Sequence, residues 1–193
     1  MRRGSGILSV AAIVLAAGAS RRLGYPKQLI RLEGETLVER AVRISREAGC
    51  ERIVLVLGAS ADKIMSACSF EDAAVVMNAD WSEGMATSLA AGIRSVDPDP
   101  NVEGCIVMTC DMPAVTPEHL RLLMSTRWVT ASAYAGRRGV PAYFPREIFP
   151  DLTELRGDEG ARALLKEAQS VELEGGDLDI DTDEDLSRAR SLF

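Results

Sequence analysis

Four short segments carry the residue types that could do chemistry, and all four suit the handling of phosphate. The first is LAAGASRRLGYPK at residues 15–27, which follows an apolar run. Small residues there, Ala16, Ala17, Gly18 and Gly24 among them, let backbone N–H groups approach an anion closely. Arg21, Arg22 and Lys27 supply the positive charge that a triphosphate requires. The string fits neither G-x-x-x-x-G-K-[ST] nor G-x-G-x-x-G, so neither the P-loop nor the dinucleotide fingerprint applies. A flexible surface loop with solvated bases has the same composition, and the residues alone leave that alternative open.

The second segment is Cys110-Asp111-Met112-Pro113, at the carboxyl end of an expected buried strand, where open α/β sheets place their ligand sites. A carboxylate there can hold Mg²⁺ against phosphate oxygens, or it can cap a turn before Pro113. The third is Leu178-Asp179-Ile180-Asp181-Thr182. If extended, it puts Asp179 and Asp181 on one face, within reach of a common metal, although a solvated acidic turn reads the same way. Two carboxylates from distant segments suit one Mg²⁺ whose remaining positions go to water and phosphate. The fourth is NADWSEGMATSL at residues 78–89, a polar loop running into a helix. Gly84 permits close backbone approach, Ser88 can bond a base or ribose edge, and Trp81 is read as a packing residue before a stacking platform.

The elements that must position these residues alternate between short apolar runs and amphipathic stretches, the pattern of a doubly wound α/β domain with a mostly parallel sheet. Residues 10–16 form a continuous apolar run expected as a central strand, followed by strands at 52–57, 73–77 and 105–110. Thr36 with Glu39 makes a capping box for a helix that Gly49 ends, helices are expected over 61–68 and 85–95, and Asp97-Pro98-Asp99-Pro100 is a turn. Thr116 caps a helix with Pro117 at its first position. Residues 130–135 and 140–144 flank a turn at 136–139 as a hairpin. Residues 160–168 read as helix, 171–173 as a short strand, and Thr182 caps a terminal helix.

Bulk properties narrow the function classes. The 193 residues suffice for one domain that buries its own core, with residues 1–9 as a peripheral extension. A net charge of -7 disfavours nucleic acid as a partner, and no segment is apolar and long enough to span a bilayer. The four cysteines show no C-x-x-C pair and His119 is the only histidine, so zinc or iron–sulfur ligation lacks its usual spacing and reduced thiols are expected. Cys105 and Cys110, an odd number of positions apart, should face opposite sides of a strand. The amino terminus imitates a secretory signal, with basic residues at 2–3, an apolar stretch and Ala17-Gly18-Ala19. Cleavage there would delete the first strand and half the glycine-bearing loop, so a cytoplasmic protein is expected.

Taken in order, LAAGASRRLGYPKQL at 15–29, DWSEGMATSL at 80–89, MTCDMPAVTPEHL at 108–120, LRGDEGARALL at 155–165 and DIDTDEDL at 179–186 resemble the MobA-like nucleotidyltransferase family, most closely its molybdenum-cofactor cytidylyltransferase branch. The resemblance runs from about residue 10 to the carboxyl terminus. It implies a Rossmann-like sheet of the nucleotide-diphospho-sugar transferase type whose first loop holds an NTP. By that analogy Leu15, Ala16, Ala17, Gly18, Ser20, Arg22, Gly24, Lys27, Asn78, Gly84 and Ser88 bind nucleotide. Lys27, Arg21 and Asp111 are catalytic, and Asp111 and Asp181 contact Mg²⁺. Ala17 resembles CTP users, whereas a glycine there marks guanylyltransferases. The implied acceptor is molybdopterin, with transient transfer of product to a molybdenum hydroxylase. A GTP-dependent molybdopterin guanylyltransferase, a sugar-phosphate nucleotidyltransferase and a non-catalytic cofactor carrier stand as alternatives. Gly139-Val140-Pro141, where relatives often carry Gly-His-Pro, and Ala79, where they often carry proline, depart from the family pattern at the acceptor side.

Overall fold

In the computed structural model, which describes residues 9–157 and 161–193, the apolar run forms β1 (Ser9–Ala16), covered on both faces. Alternate side chains serve opposite layers. Ala12, Val14 and Ala16 join one core cluster, while Ala11, Ile13 and Leu15 join the other. A two-stranded ribbon of β2 (Arg31–Leu32) and β3 (Glu35–Thr36) leads into α1 (Leu37–Glu47). The capping box at its start is present, Thr36 accepting from the Glu39 N–H while Glu39 accepts from the Thr36 N–H. The chain continues through β4 (Arg52–Leu57), α2 (Ala61–Ala67), β5 (Ala74–Met77), α3 (Met85–Val96), β6 (Val102–Thr109) and α4 (Pro117–Met124). Then follow β7 (Thr130–Tyr134), β8 (Arg137–Pro145), α5 (Phe149–Glu154), α6 (Arg162–Leu165), β9 (Gln169–Glu172) and α7 (Asp183–Leu192).

Seven strands make one sheet in the order β5-β4-β1-β6-β8-β7-β9. The left part, β5 to β6, is parallel throughout; β8 pairs antiparallel with β6 and with β7, and β9 returns parallel to β7. Helices α1, α2 and α4 cover one face and α3, α5 and α6 the other, which makes the doubly wound α/β architecture. Helix α3 lies so close to β1 that a Cβ at Gly92 would sit 2.4 Å from Ile13 Cγ2. A third apolar cluster, Leu23, Ile30, Leu32 and Leu37 against Leu178, Ile180, Leu186 and Ala189, fastens the segment after the first loop to α7. Among the described residues no helix is long and apolar enough to cross a membrane.

Several boundaries differ from the sequence reading. Strand β6 begins at Val102, because Gly104 continues the strand and leaves room for the Tyr143 ring, whose hydroxyl would lie 2.5 Å from a Cβ there. The hairpin turn is Ala135–Gly136, both at positive φ (48° and 71°), as two-residue primed turns require. Arg137 and Arg138 are therefore strand residues. They sit where β8 projects past β6, whose pairing with β8 ends at Ala142. The 160–168 helix reduces to α6, and β9 starts two residues early, at Gln169. Gly160 and residues 1–8 of the expected extension lie outside the described residues, and Ser9 opens β1. Helix α5 and the β2–β3 ribbon had no clear sequence signal.

Candidate nucleotide and metal site

The parallel strands end together, so the loops after β1 and β6 meet at one rim of the sheet. The first loop is fixed from inside by Gln28, which is 1% exposed and donates to the carbonyls of Ala16 (2.8 Å) and Gly18 (2.9 Å). Ser20, at φ 50°, accepts from the Lys27 N–H (3.0 Å) and presents its carbonyl to the N–H groups of Leu23 and Gly24. Among the described residues the N–H groups of Gly18, Ala19 and Arg21 find no acceptor, and all three residues line a cleft of about 360 Å³. A fixed loop with N–H groups left over beside a cavity has the donors that an anion would need.

The opposite wall comes from the start of α3. Gly84, at φ 119°, adopts a conformation that glycine alone takes without strain, and it lets the helix begin at the cleft. Asn78 does not reach the cleft. It donates to Thr87 Oγ1 and Ser88 Oγ, each at 2.9 Å, and so aims Ser88 at the cavity with its own hydrogen still to give. Trp81 packs over Gly58, where a Cβ would meet the tryptophan Cβ at 2.6 Å, yet it also lines the cleft.

At the floor, Lys27 Nζ donates to both Asp111 and Asp181, the latter at 2.6 Å, and Arg22 pairs with the other oxygen of Asp181. Asp181 reaches this point because the Ile180 N–H donates to the Asp111 carbonyl (3.0 Å), which ties the carboxyl-terminal segment to the end of β6. The capping box of α7 holds the next step, Asp185 accepting from the N–H groups of Asp181 and Thr182. Burial lowers the ammonium pKa of Lys27, but the two carboxylates outweigh it and hold the group above the usual lysine value. Asp179 stands behind them. Burial, reinforced by Asp111 and Asp181, pushes its carboxyl up to about 6.

Of the residues expected to bind nucleotide or metal, Leu15, Ala16, Ala17, Gly18, Arg21, Lys27, Gly84, Ser88 and Asp111 line the cleft. Ser20, Arg22, Gly24 and Asn78 do not; they shape the loop, hold Asp181 or brace Ser88. Asp181 lies off the cleft wall but shares Lys27 with Asp111. Gln28 and Thr109 were missed. Gln28 stands beside Lys27 in the loop motif, and that adjacency was its only signal.

The floor fits a divalent cation. Asp111 Oδ1 is buried and has no hydrogen-bond partner, while Asp111 and Asp181 share the Lys27 ammonium and Asp181 also pairs with Arg22. No group of three or more His, Cys, Asp or Glu among the described residues is spaced to hold a metal unaided. Two carboxylates completed by phosphate oxygens and water is the arrangement magnesium favours.

A model of the MobA-like NTP transferase domain matches residues 12–172. Nicotine blue oxidoreductase of Paenarthrobacter nicotinovorans is 34% identical over 170 residues, 82% of each chain. Molybdenum cofactor cytidylyltransferase of Escherichia coli (strain K12) is 26% identical over 192 residues, 94% of this chain and 95% of its own. The crystal structure of Rv0371c from Mycobacterium tuberculosis H37Rv superposes with a TM-score of 0.83 at 30% identity, covering 96% of this chain and all of that one. The manganese complex of the same protein gives 0.76 at 27% identity over 96% of this chain and 100% of that one.

Proposed function

Because the chain belongs to the MobA-like NTP transferase family, we propose that it transfers CMP from CTP to the phosphate of a molybdopterin-type cofactor and releases pyrophosphate. The observation that carries this reading is the meeting of the free N–H groups of the first loop with Lys27 and Asp111 at one cleft, beside which Asp181 shares the same ammonium. A non-bridging oxygen of the acceptor phosphate attacks the α-phosphorus in line, and the bond from that phosphorus to the bridging oxygen of the β-phosphate breaks. The electron pair leaves with pyrophosphate. An acceptor phosphate is already ionised at neutral pH, so no residue need deprotonate it.

Gly18, Ala19 and Arg21 offer N–H groups to the triphosphate, and Lys27 and the Arg21 side chain balance the charge that grows on the leaving group. Asp111 and Asp181 would hold Mg²⁺, which when bound supplies further neutralisation of the phosphate oxygens. Nucleotide entry requires Lys27 to exchange carboxylate for phosphate partners. Ala17 on the cleft wall and the Escherichia coli relative favour CTP over GTP, and the three retained charged residues argue against a carrier without turnover.

The test is a thermal-shift comparison of CTP, GTP, ATP and UTP with and without Mg²⁺, followed by pyrophosphate release with molybdenum cofactor as acceptor. Mg-CTP should give the largest rise in Tm and should support release. A clear preference for GTP reassigns the base, and stabilisation by NADPH without pyrophosphate release moves the chain toward the chemistry named in its oxidoreductase relative. Asp111→Asn should keep the Tm within a few degrees and lower turnover roughly 100-fold or more, the usual scale for removing a charge-stabilising group. Near-normal CMP transfer by that variant refutes the assignment.

A further inference from the structure

Although acids outnumber bases 29 to 22, four exposed cations, Arg137, Arg138, Arg162 and Lys166, surround one groove of about 420 Å³. Among the described residues none of the four forms an ion pair. Two are nonetheless held in place. Arg138 donates to the Lys166 carbonyl (2.7 Å), and the Arg137 guanidinium lies 5.2 Å from the centre of the Tyr134 ring. An arginine fixed by one contact keeps its remaining N–H donors for an oxyanion, and part of the ordering cost is met before the ligand arrives.

The groove also stands at the correct end of the molecule. Because β8 runs antiparallel to β6, its first residues point to the same sheet rim as the carboxyl end of β6 and Asp111. Tyr134 joins the two places. Its other flank packs on Gly176, where a Cβ would lie 2.9 Å from a ring carbon, in the segment that leads directly to Asp179.

We propose that this groove receives the anionic far end of the acceptor, remote from the phosphate that attacks, so that the acceptor carries negative charge at two separated places. The inference deepens the nucleotidyl-transfer reading and rests on it. The nucleotide enters between β1 and α3, and the acceptor lies along the Tyr134 side with its far anion on Arg137 and Arg162.

The experiment is an amide NMR titration of the whole chain with inorganic phosphate at constant ionic strength, with chloride as control. Saturable shifts are expected at Gly136, Arg138 and Lys166, separate from those in the first loop. Arg137→Ser with Arg162→Ser should weaken the groove response about tenfold, the scale of a lost charge-assisted contact, while leaving loop shifts and nucleotide stabilisation unchanged. If the double variant melts early, Arg162→Ser alone serves, its side chain being exposed. Loop shifts without groove shifts, or a chloride effect of equal size, overturn the proposal, while nucleotide stabilisation still supports the transferase reading. Groove shifts with poly-glutamate but none with phosphate assign the groove to an acidic polypeptide and also overturn it. Loss of nucleotide stabilisation in the parent protein instead sinks the reading beneath.

Discussion

Lys27 stands between carboxylates that would otherwise repel one another, and its position sets the electrostatics of the whole floor. Asp179 takes up the remaining imbalance. Its folded carboxyl titrates near 6 where the unfolded group titrates at 3.8, so the native state holds a proton that the unfolded chain has released. Stability therefore falls as pH rises from about 4 through about 6. Asp179→Asn should remove that dependence: measured by denaturant melts in a chelating buffer, the variant should gain about 2 kcal/mol at pH 8, after allowance for partial exposure, and nothing at pH 4. Equal stability at both values would mean that Asp179 is well solvated. At this scale the sequence was informative about charged groups and poor about neutral ones. Lys27, Asp111 and Asp181 stand out because a charge near an expected strand end needs a partner or a ligand. The inward roles of Ser20, Asn78 and Gln28 depend on which carbonyl or amide each side chain meets, and a linear pattern holds no such information.

Helix α3 carries one wall of the cleft, and its distance from the sheet is set by a single missing methyl group. Gly92 faces Ile13 at a separation that no Cβ tolerates. Gly92→Ala should therefore lower stability by about 2 kcal/mol, despite the better helix propensity of alanine, because overpacking outweighs the backbone gain. The same change displaces Ser88 and Gly84, so the nucleotide-dependent rise in Tm should shrink as well. A variant more stable than its parent would show that the helix can ride outward without strain. Elements with local punctuation were legible: the capping box at Thr36, the cap at Thr182, the Thr116–Pro117 start and the Gly49 stop all lie where local chemistry puts them. Where tertiary pairing decided the outcome they were not. Arg137 and Arg138 look like turn residues until β7 supplies a partner for them, and Gly104 looks like a breaker until the Tyr143 ring fills its space.

Across the whole molecule the two core layers share out the cysteines, Cys50 and Cys110 in one and Cys105 in the other, while Cys68 is half-buried at the margin. Burial pushes the thiols of Cys50 and Cys110 up to about 12 and that of Cys105 higher still. A thiolate-directed reagent should thus label Cys68 first in the native protein and all four cysteines in denaturant, with peptide mapping as the readout. Rapid native labelling of Cys110 would mean that the cleft floor opens to solvent. Doubly wound topology and the opposite facing of Cys105 and Cys110 were both readable from alternation along the chain, whereas the strand order to the right of β6 was not, since long-range pairing leaves little local trace. That order has an engineering meaning. The change from parallel to antiparallel between β6 and β8 is a seam: the strand–helix units to its left carry the glycine-bearing loop and α3, and the hairpin with β9 lies to its right. A chimaera that keeps residues up to the end of α4 and borrows the remainder from a relative with a different acceptor should retain its nucleotide preference and change only its choice of co-substrate, provided the borrowed tail supplies the counterpart of Asp181.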